Sequence, residues 1–150
     1  MTVAIGADHR GYQLKDDIKR FLRTKHVRVL DCGTDTADPV DYPVIAIAVA
    51  EAVRRRNARL GILLCHTGNG MAIAANKVPG IRAALVFDPV FADLARRHND
   101  ANILVLPAGF ITERRSIRAI VTTFMKTPFA GGRHRRRVNL IRRYEKTHGL

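Results

Sequence analysis

Tryptophan is absent, tyrosine and phenylalanine together make only 6% of the chain, and just two cysteines occur. Acidic residues are scarce as well, 13 against 26 lysines and arginines. Each shortage excludes something. With no Trp and no aromatic residues interleaved among the basic ones, the pattern of a nucleic-acid-binding surface is missing, and no recognisable binding motif replaces it. Cys32 and Cys65 lie far apart with no paired-cysteine motif. That rules out a disulfide framework and makes a reducing cytoplasm the expected compartment. Long hydrophobic runs are missing too. No uncharged apolar stretch is longer than Ile103 to Ile111, which contains Pro107 and Gly109, whereas a membrane span needs about 20 residues. The opening Met1-Thr2-Val3-Ala4-Ile5-Gly6 carries no basic-then-apolar signal pattern.

What is present is ordinary for a folded protein: 150 residues, 47% hydrophobic and 26% charged, expected as one domain over residues 1–150. The net charge of +13 is concentrated in residues 101–150, where only Glu113 and Glu145 oppose the basic residues. Such an excess attracts anions, whether a polyanion or a small phosphorylated substrate.

Short β-branched runs recur along the chain: Val3 to Ile5, Val27 to Leu30, Leu60 to Cys65, Ile81 to Phe87 and Ile103 to Leu106. Helical spacing fills the intervals, over Tyr12–Thr24, Tyr42–Arg56, Met71–Lys77, Pro89–Arg97 and Glu113–Lys126. Apolar runs without alternation suit strands buried on both faces, and strand–helix alternation suits a parallel sheet. The chain therefore reads as five βα units of a doubly wound α/β fold. A sixth helix follows Gly131-Gly132, from Arg133 to about Lys146.

In such sheets ligands bind beyond the carboxyl ends of the strands. Cys65 ends the third run, and Thr67-Gly68-Asn69-Gly70 turns from it into a helix. Glycines let backbone N–H groups approach a ligand, and those donors suit an oxyanion or enediolate. A cysteine beside them is a base or nucleophile, or equally a buried structural cysteine before a βα turn. Asp8-His9 follows the first strand on the ligand side and reads also as a helix cap. His98-Asn99 closes the fourth helix, as an acid–base pair member or as a helix C-terminal cation. Arg133 and Arg137, four apart, share a helix face and either converge on a phosphate or form a solvated basic face. Arg54-Arg55-Arg56 reads as a solvated helix end and Cys32 as packing. No cluster has metal-ligand spacing, and the glycine turns lack the nucleotide and dinucleotide fingerprints.

Taken in order, Gly6-Ala7-Asp8-His9, Asp41-Tyr42-Pro43, Gly61 to Cys65, Gly70 to Ala84, His98 to Asn102 and Gly132-Arg133-His134 resemble the ribose-5-phosphate isomerase B and galactose-6-phosphate isomerase family. The similarity covers nearly the whole chain. It implies a Rossmann-like sheet of five parallel strands and an aldose–ketose isomerase using no metal and no cofactor. By the same resemblance, Cys65 is the base that passes through an enediolate, Thr67 supports ring opening, and His98 is the acid or base on the ring oxygen. Asp8, His9, Tyr42 and Asn99 match sugar-binding positions, with His66, Gly68, Asn69 and Gly70 lining the same turn. Arg133 and Arg137 match a phosphate clamp. The partners implied are a phosphorylated sugar and a second copy of the chain, as a homodimer or dimer of dimers with the site at the subunit interface and the His98-Asn99 segment supplied across it.

Two departures from the family pattern stand at the substrate end. His66 occupies a position that is usually glycine, where an imidazole either narrows the site or adds a proton carrier. Pro107-Ala108-Gly109-Phe110 lacks an arginine that many members carry after the fifth strand. The expected substrate is ribose 5-phosphate. The same chemistry on allose 6-phosphate, galactose 6-phosphate or a shorter sugar is the alternative, and a non-catalytic polyanion-binding protein is a more distant one.

Overall fold

The computed structural model describes residues 1–111 and 113–149. In chain order the elements are β1 (Thr2–Ala7), α1 (Tyr12–Thr24), β2 (Arg28–Asp31), α2 (Tyr42–Arg54), β3 (Leu60–Cys65) and α3 (Asn69–Ala75). They continue with β4 (Ala83–Leu85), α4 (Pro89–Asn99), β5 (Ile103–Pro107), α5 (Arg114–Lys126) and α6 (Gly132–Thr147). The five strands form one parallel sheet in the order β2-β1-β3-β5-β4. Five parallel strands with helices on both faces is the α/β architecture expected from the sequence.

Strand position follows side-chain content. The three central strands β1, β3 and β5 are almost wholly buried and wholly uncharged, because helices cover both faces. Edge strand β2 exposes Arg28 and Asp31. Alternation along β3 sends Leu60, Ile62 and Leu64 to one layer, with Ile18, Leu22, Ile117 and Phe124 of α1 and α5. Leu63 and Cys65 go to the other, with Ile45, Val49 and Met71 of α2 and α3. Each fully buried aliphatic side chain contributes about 1.5–3 kcal/mol.

Several boundaries differ from the sequence expectation. The fourth strand shrinks from Ile81–Phe87 to Ala83–Leu85, since it lies at the sheet edge and pairs only with β5. Helix α2 stops at Arg54, just before Arg56 adopts a left-handed φ of 62°. Helix α3 starts at Asn69 rather than Met71, and α4 continues through His98 to Asn99 before Asp100 ends it at φ 49°.

The connections decide where chemistry can occur. From β1 the chain moves outward to β2, then crosses back to β3, so β1 and β3 are neighbours from which the chain departs in opposite directions. A crevice forms above their carboxyl ends. Each helix that follows a strand, α1 to α5, then runs back toward the amino edge of the sheet, and α4 delivers its last residues there.

Candidate active site

At the carboxyl edge, Cys65 is the last residue of β3 and only 5% exposed. The chain then turns sharply through Gly68, whose φ of +79° favours glycine. A Cβ at that position would stand 2.3 Å from Leu85 Cδ1. The turn aims the Gly68 N–H at Cys65 Sγ, 3.2 Å away, while Thr67 Oγ1 accepts from the Asn69 N–H at 3.3 Å. Burial pushes the Cys65 thiol up, and the negative charge of Asp8 adds to this. The N–H groups of Gly68, Met71 and Thr67 pull it back, leaving it above the ordinary thiol value. The resting group is thus a protonated thiol surrounded by donors suited to a thiolate or a developing oxyanion.

Asp8 and His9 border this group from β1. The Asp8 N–H donates to Leu64 O at 3.2 Å, which ties the end of β1 to β3. One Asp8 carboxylate oxygen accepts from Arg10 N at 2.9 Å and Gly11 N at 3.1 Å. It holds the turn leading into α1, whose N-cap is Gly11 with no side-chain cap bond, so the helix-cap reading of Asp8 is not met; its charge also reaches Cys65. His9 Nδ1 is buried and has no hydrogen-bond partner among the described residues, a condition that a polar ligand would relieve. Tyr42 opens α2 with its ring against Gly70, where a Cβ would come 2.7 Å from two ring carbons. His66 turns the other way, toward β5, and its ring packs on Phe110 with centroids 5.4 Å apart. Asp8, His9, Tyr42, Cys65, His66, Thr67, Gly68, Asn69 and Gly70 therefore share the carboxyl edge.

The remaining predicted residues gather elsewhere. His98 and Asn99 end α4, Arg133 and Arg137 lie in the first turns of α6, and Ala130 N donates to Arg97 O at 3.0 Å to hold the two segments together. The His98 and His134 rings stack at 4.1 Å, only 7° from parallel. Burial lowers the proton affinity of His134, as do the nearby His98, Arg133, Arg137 and Arg97, so those four groups surround it. This cluster sits at the amino edge. Gly61 N donates to Asn102 O at 2.9 Å, which places the end of α4 beside the start of β3, about 13 Å along the strand from Cys65. Within one chain the two groups face opposite ends of the sheet.

In the sequence His134 has no role beyond its place in the Gly132-Arg133-His134 block, because the four arginines around it read as one charge run. Its signal is the spacing to Val138, four residues on, since both are the buried members of an otherwise exposed stretch of α6. The fold also collects the carboxylates of Asp16, Asp31 and Asp35 within 4.8 Å of one another, which local spacing does not reveal. The fully buried Lys15 places its ammonium 3.0 Å from Asp31 and 2.6 Å from Asp35, and Lys19 bridges Asp31 and Asp16. Two ammonium groups thus offset two of the three carboxylate charges in this cluster. Among the described residues, no helix is long and apolar enough to cross a membrane.

A model of the Ribose/Galactose Isomerase family matches residues 3–141. The ribose-5-phosphate isomerase B of Mycobacterium tuberculosis is 41% identical over 150 residues, covering 99% of this chain and 92% of that one. The structure of Clostridium thermocellum ribose-5-phosphate isomerase B superposes with a TM-score of 0.96 at 45% identity, covering 99% of both chains. That of the Mycoplasma genitalium enzyme with bound ribulose-5-phosphate gives 0.92 at 45% identity, covering 97% of this chain and 96% of that one.

Proposed function

The chain belongs to the ribose/galactose isomerase family, and on that premise we propose that it interconverts ribose 5-phosphate and ribulose 5-phosphate, the latter being the ligand of the Mycoplasma genitalium relative. The observation that carries this reading is the Cys65 thiol, held 3.2 Å from the Gly68 N–H in a turn that presents Thr67 beside it.

Isomerisation moves one proton between adjacent carbons and needs a base, an acid at the oxygens and donors for a transient negative charge. Cys65, as thiolate, takes the proton from C2 of the open-chain aldose. The electron pair left behind forms the C1–C2 double bond, and the C1 carbonyl oxygen becomes an oxyanion facing the backbone donors of the 67–71 turn. Transfer of the O2 proton to O1 and return of the Cys65 proton to C1 leave a carbonyl at C2. Thr67 assists ring opening, and Asp8, His9, Tyr42 and Asn99 hold hydroxyls. His66 and Asn69 line the same site.

His98 serves the ring oxygen, and Arg133 with Arg137 hold the phosphate, each guanidinium giving charge-assisted hydrogen bonds. Because those groups lie at the opposite edge from Cys65, the complete site takes them from a second copy in a homodimer. Two features support that arrangement. Apolar side chains stand exposed on α3, α4 and α6, with Ile73 63%, Val90 65%, Phe91 56% and Tyr144 58% exposed. Beside the stacked His98–His134 pair, Arg97 is paired with Asp93, whereas Arg133 and Arg137 make no salt bridge among the described residues. Free thiols at Cys32 and Cys65 fit a cytoplasmic setting.

A coupled assay on ribose 5-phosphate and ribulose 5-phosphate with EDTA present tests the reading. Wild-type protein turns over both, and Cys65→Ala loses turnover while still binding sugar phosphate. Near-normal turnover by Cys65→Ala would remove the base assignment.

A further inference from the structure

Three walls border Cys65 at the carboxyl edge. On the β1 side Asp8 is buried and fixed by the Arg10 and Gly11 N–H groups. On the α2 side the Tyr42 ring lies on Gly70, leaving no room for a side chain there. The β5 side is built differently. Ala108 N and Gly109 N donate to the carbonyls of Cys65 and His66 at 2.8 and 2.9 Å, extending the β3–β5 pairing past the sheet. Over that backbone lies the His66 imidazole, exposed, tilted 49° to the Phe110 ring and making no hydrogen bond to a described residue.

Gly109 is glycine for one visible reason. It is not among the residues with positive φ, so its backbone would accept any L-residue. A Cβ there, however, would stand 2.2 Å from His66 Nδ1 and 2.3 Å from Cε1. An imidazole at 66 in this position and a side chain at 109 exclude one another. His66 and Gly109 are a matched pair, and the ring supplies the wall that residue 109 does not.

We propose that His66, seated on Gly109 and Phe110, is the residue that sets the length of phosphosugar this site accepts, favouring five carbons over six. The inference rests on the isomerase reading above and deepens it. The reacting end of the substrate is fixed at Cys65, and the phosphate is fixed by guanidinium groups on rigid helices. A sugar longer by one carbon must bulge sideways between those two points. Hydrogen bonds hold the Asp8 wall, and on the β5 side the exposed His66 ring, without a hydrogen bond to a described residue, is the wall such a bulge meets. Excluding one carbon unit at a close-fitting wall typically discriminates by about tenfold or more.

The test compares kcat/KM for ribose 5-phosphate and allose 6-phosphate in the wild type, His66→Gly, Gly109→Ala and the double variant. His66→Gly removes the ring, and Gly109→Ala evicts it without altering residue 66. Each single substitution raises the six-carbon to five-carbon ratio by about tenfold. The double variant gains no more than either single one, because both remove the same wall. His66→Asn, planar but smaller, falls between wild type and His66→Gly. An unchanged ratio in either folded single variant, or fully additive effects in the double, overturns the specificity assignment while leaving the isomerase reading intact. A wild type inactive on both sugars overturns the isomerase reading and this inference with it.

Discussion

Substituting Gly68 by alanine perturbs the backbone and the reacting thiol at once, and the structure separates the two effects. At φ +79° an L-residue costs about 1–2 kcal/mol. The new methyl would stand 2.3 Å from Leu85 Cδ1, and overpacking of that kind adds about 1–3 kcal/mol. Gly80→Ala provides the control, since Gly80 has the same φ but nothing within 4 Å of its Cβ position. It carries the backbone cost alone. In urea unfolding, Gly68→Ala therefore loses more stability than Gly80→Ala by about the overpacking amount, 1–3 kcal/mol. Catalysis falls further still. Relief of the clash moves the residue 68 N–H off Cys65 Sγ, and a hydrogen bond to a charged acceptor is worth about 1.5–3 kcal/mol. In kcat that is a loss of about tenfold to 150-fold. Thiolate absorbance followed against pH shows the Cys65 thiol moving further up. A Gly68→Ala variant as stable as Gly80→Ala, with kcat within about threefold of wild type, would refute the link from the glycine turn to the thiolate.

Other outcomes follow from the same geometry. Arg137→Ala raises KM for ribose 5-phosphate by about tenfold to a hundredfold with a smaller change in kcat, as expected when a uniform phosphate contact is lost; steady-state kinetics decide it, and an unchanged KM contradicts the clamp. Because burial holds the Cys65 thiol above its ordinary value, kcat/KM on ribose 5-phosphate rises with pH through the alkaline range, and a profile that falls there contradicts thiolate chemistry. The sign for stability is opposite: a thiol raised on folding stabilises while protonated, and that contribution is lost as pH climbs through its folded value. Thermal unfolding thus shows wild type losing more stability than Cys65→Ala on going from about pH 7 to about pH 10.

Much of this was readable from residue order. The Leu60–Cys65 run, all apolar and bounded by a glycine turn, could hardly be anything but a central strand with its chemistry at the carboxyl end. The Cys65 group of Asp8, Tyr42 and Thr67 follows from that once strand ends are taken as the ligand side. What periodicity did not reveal depends on contacts between distant segments. Lys15 reads as one more surface cation of α1, but Asp31 and Asp35 fold over it and bury it completely. The fourth apolar run spans the seven positions Ile81–Phe87, Arg82 among them, and edge placement leaves three of them in β4. The relation of His66 to Gly109 is invisible along the chain, because 43 positions separate two residues that β3–β5 pairing brings together. His98 was correctly placed at the end of a helix. Its distance from Cys65 comes from topology, since a helix following a strand returns to the opposite edge.

The proposed division of the site between two chains is tested most directly by a mixed dimer. Cys65→Ser and His98→Asn chains, each inactive alone, are co-expressed with different affinity tags, and the species carrying both is purified. If the site joins Cys65 of one chain to His98 of the other, one of the two symmetric sites in that species is fully wild type, and it shows about half the wild-type activity on ribose 5-phosphate. If Cys65 and His98 act within a single chain, both sites of the mixed dimer are damaged and it stays as inactive as its parents.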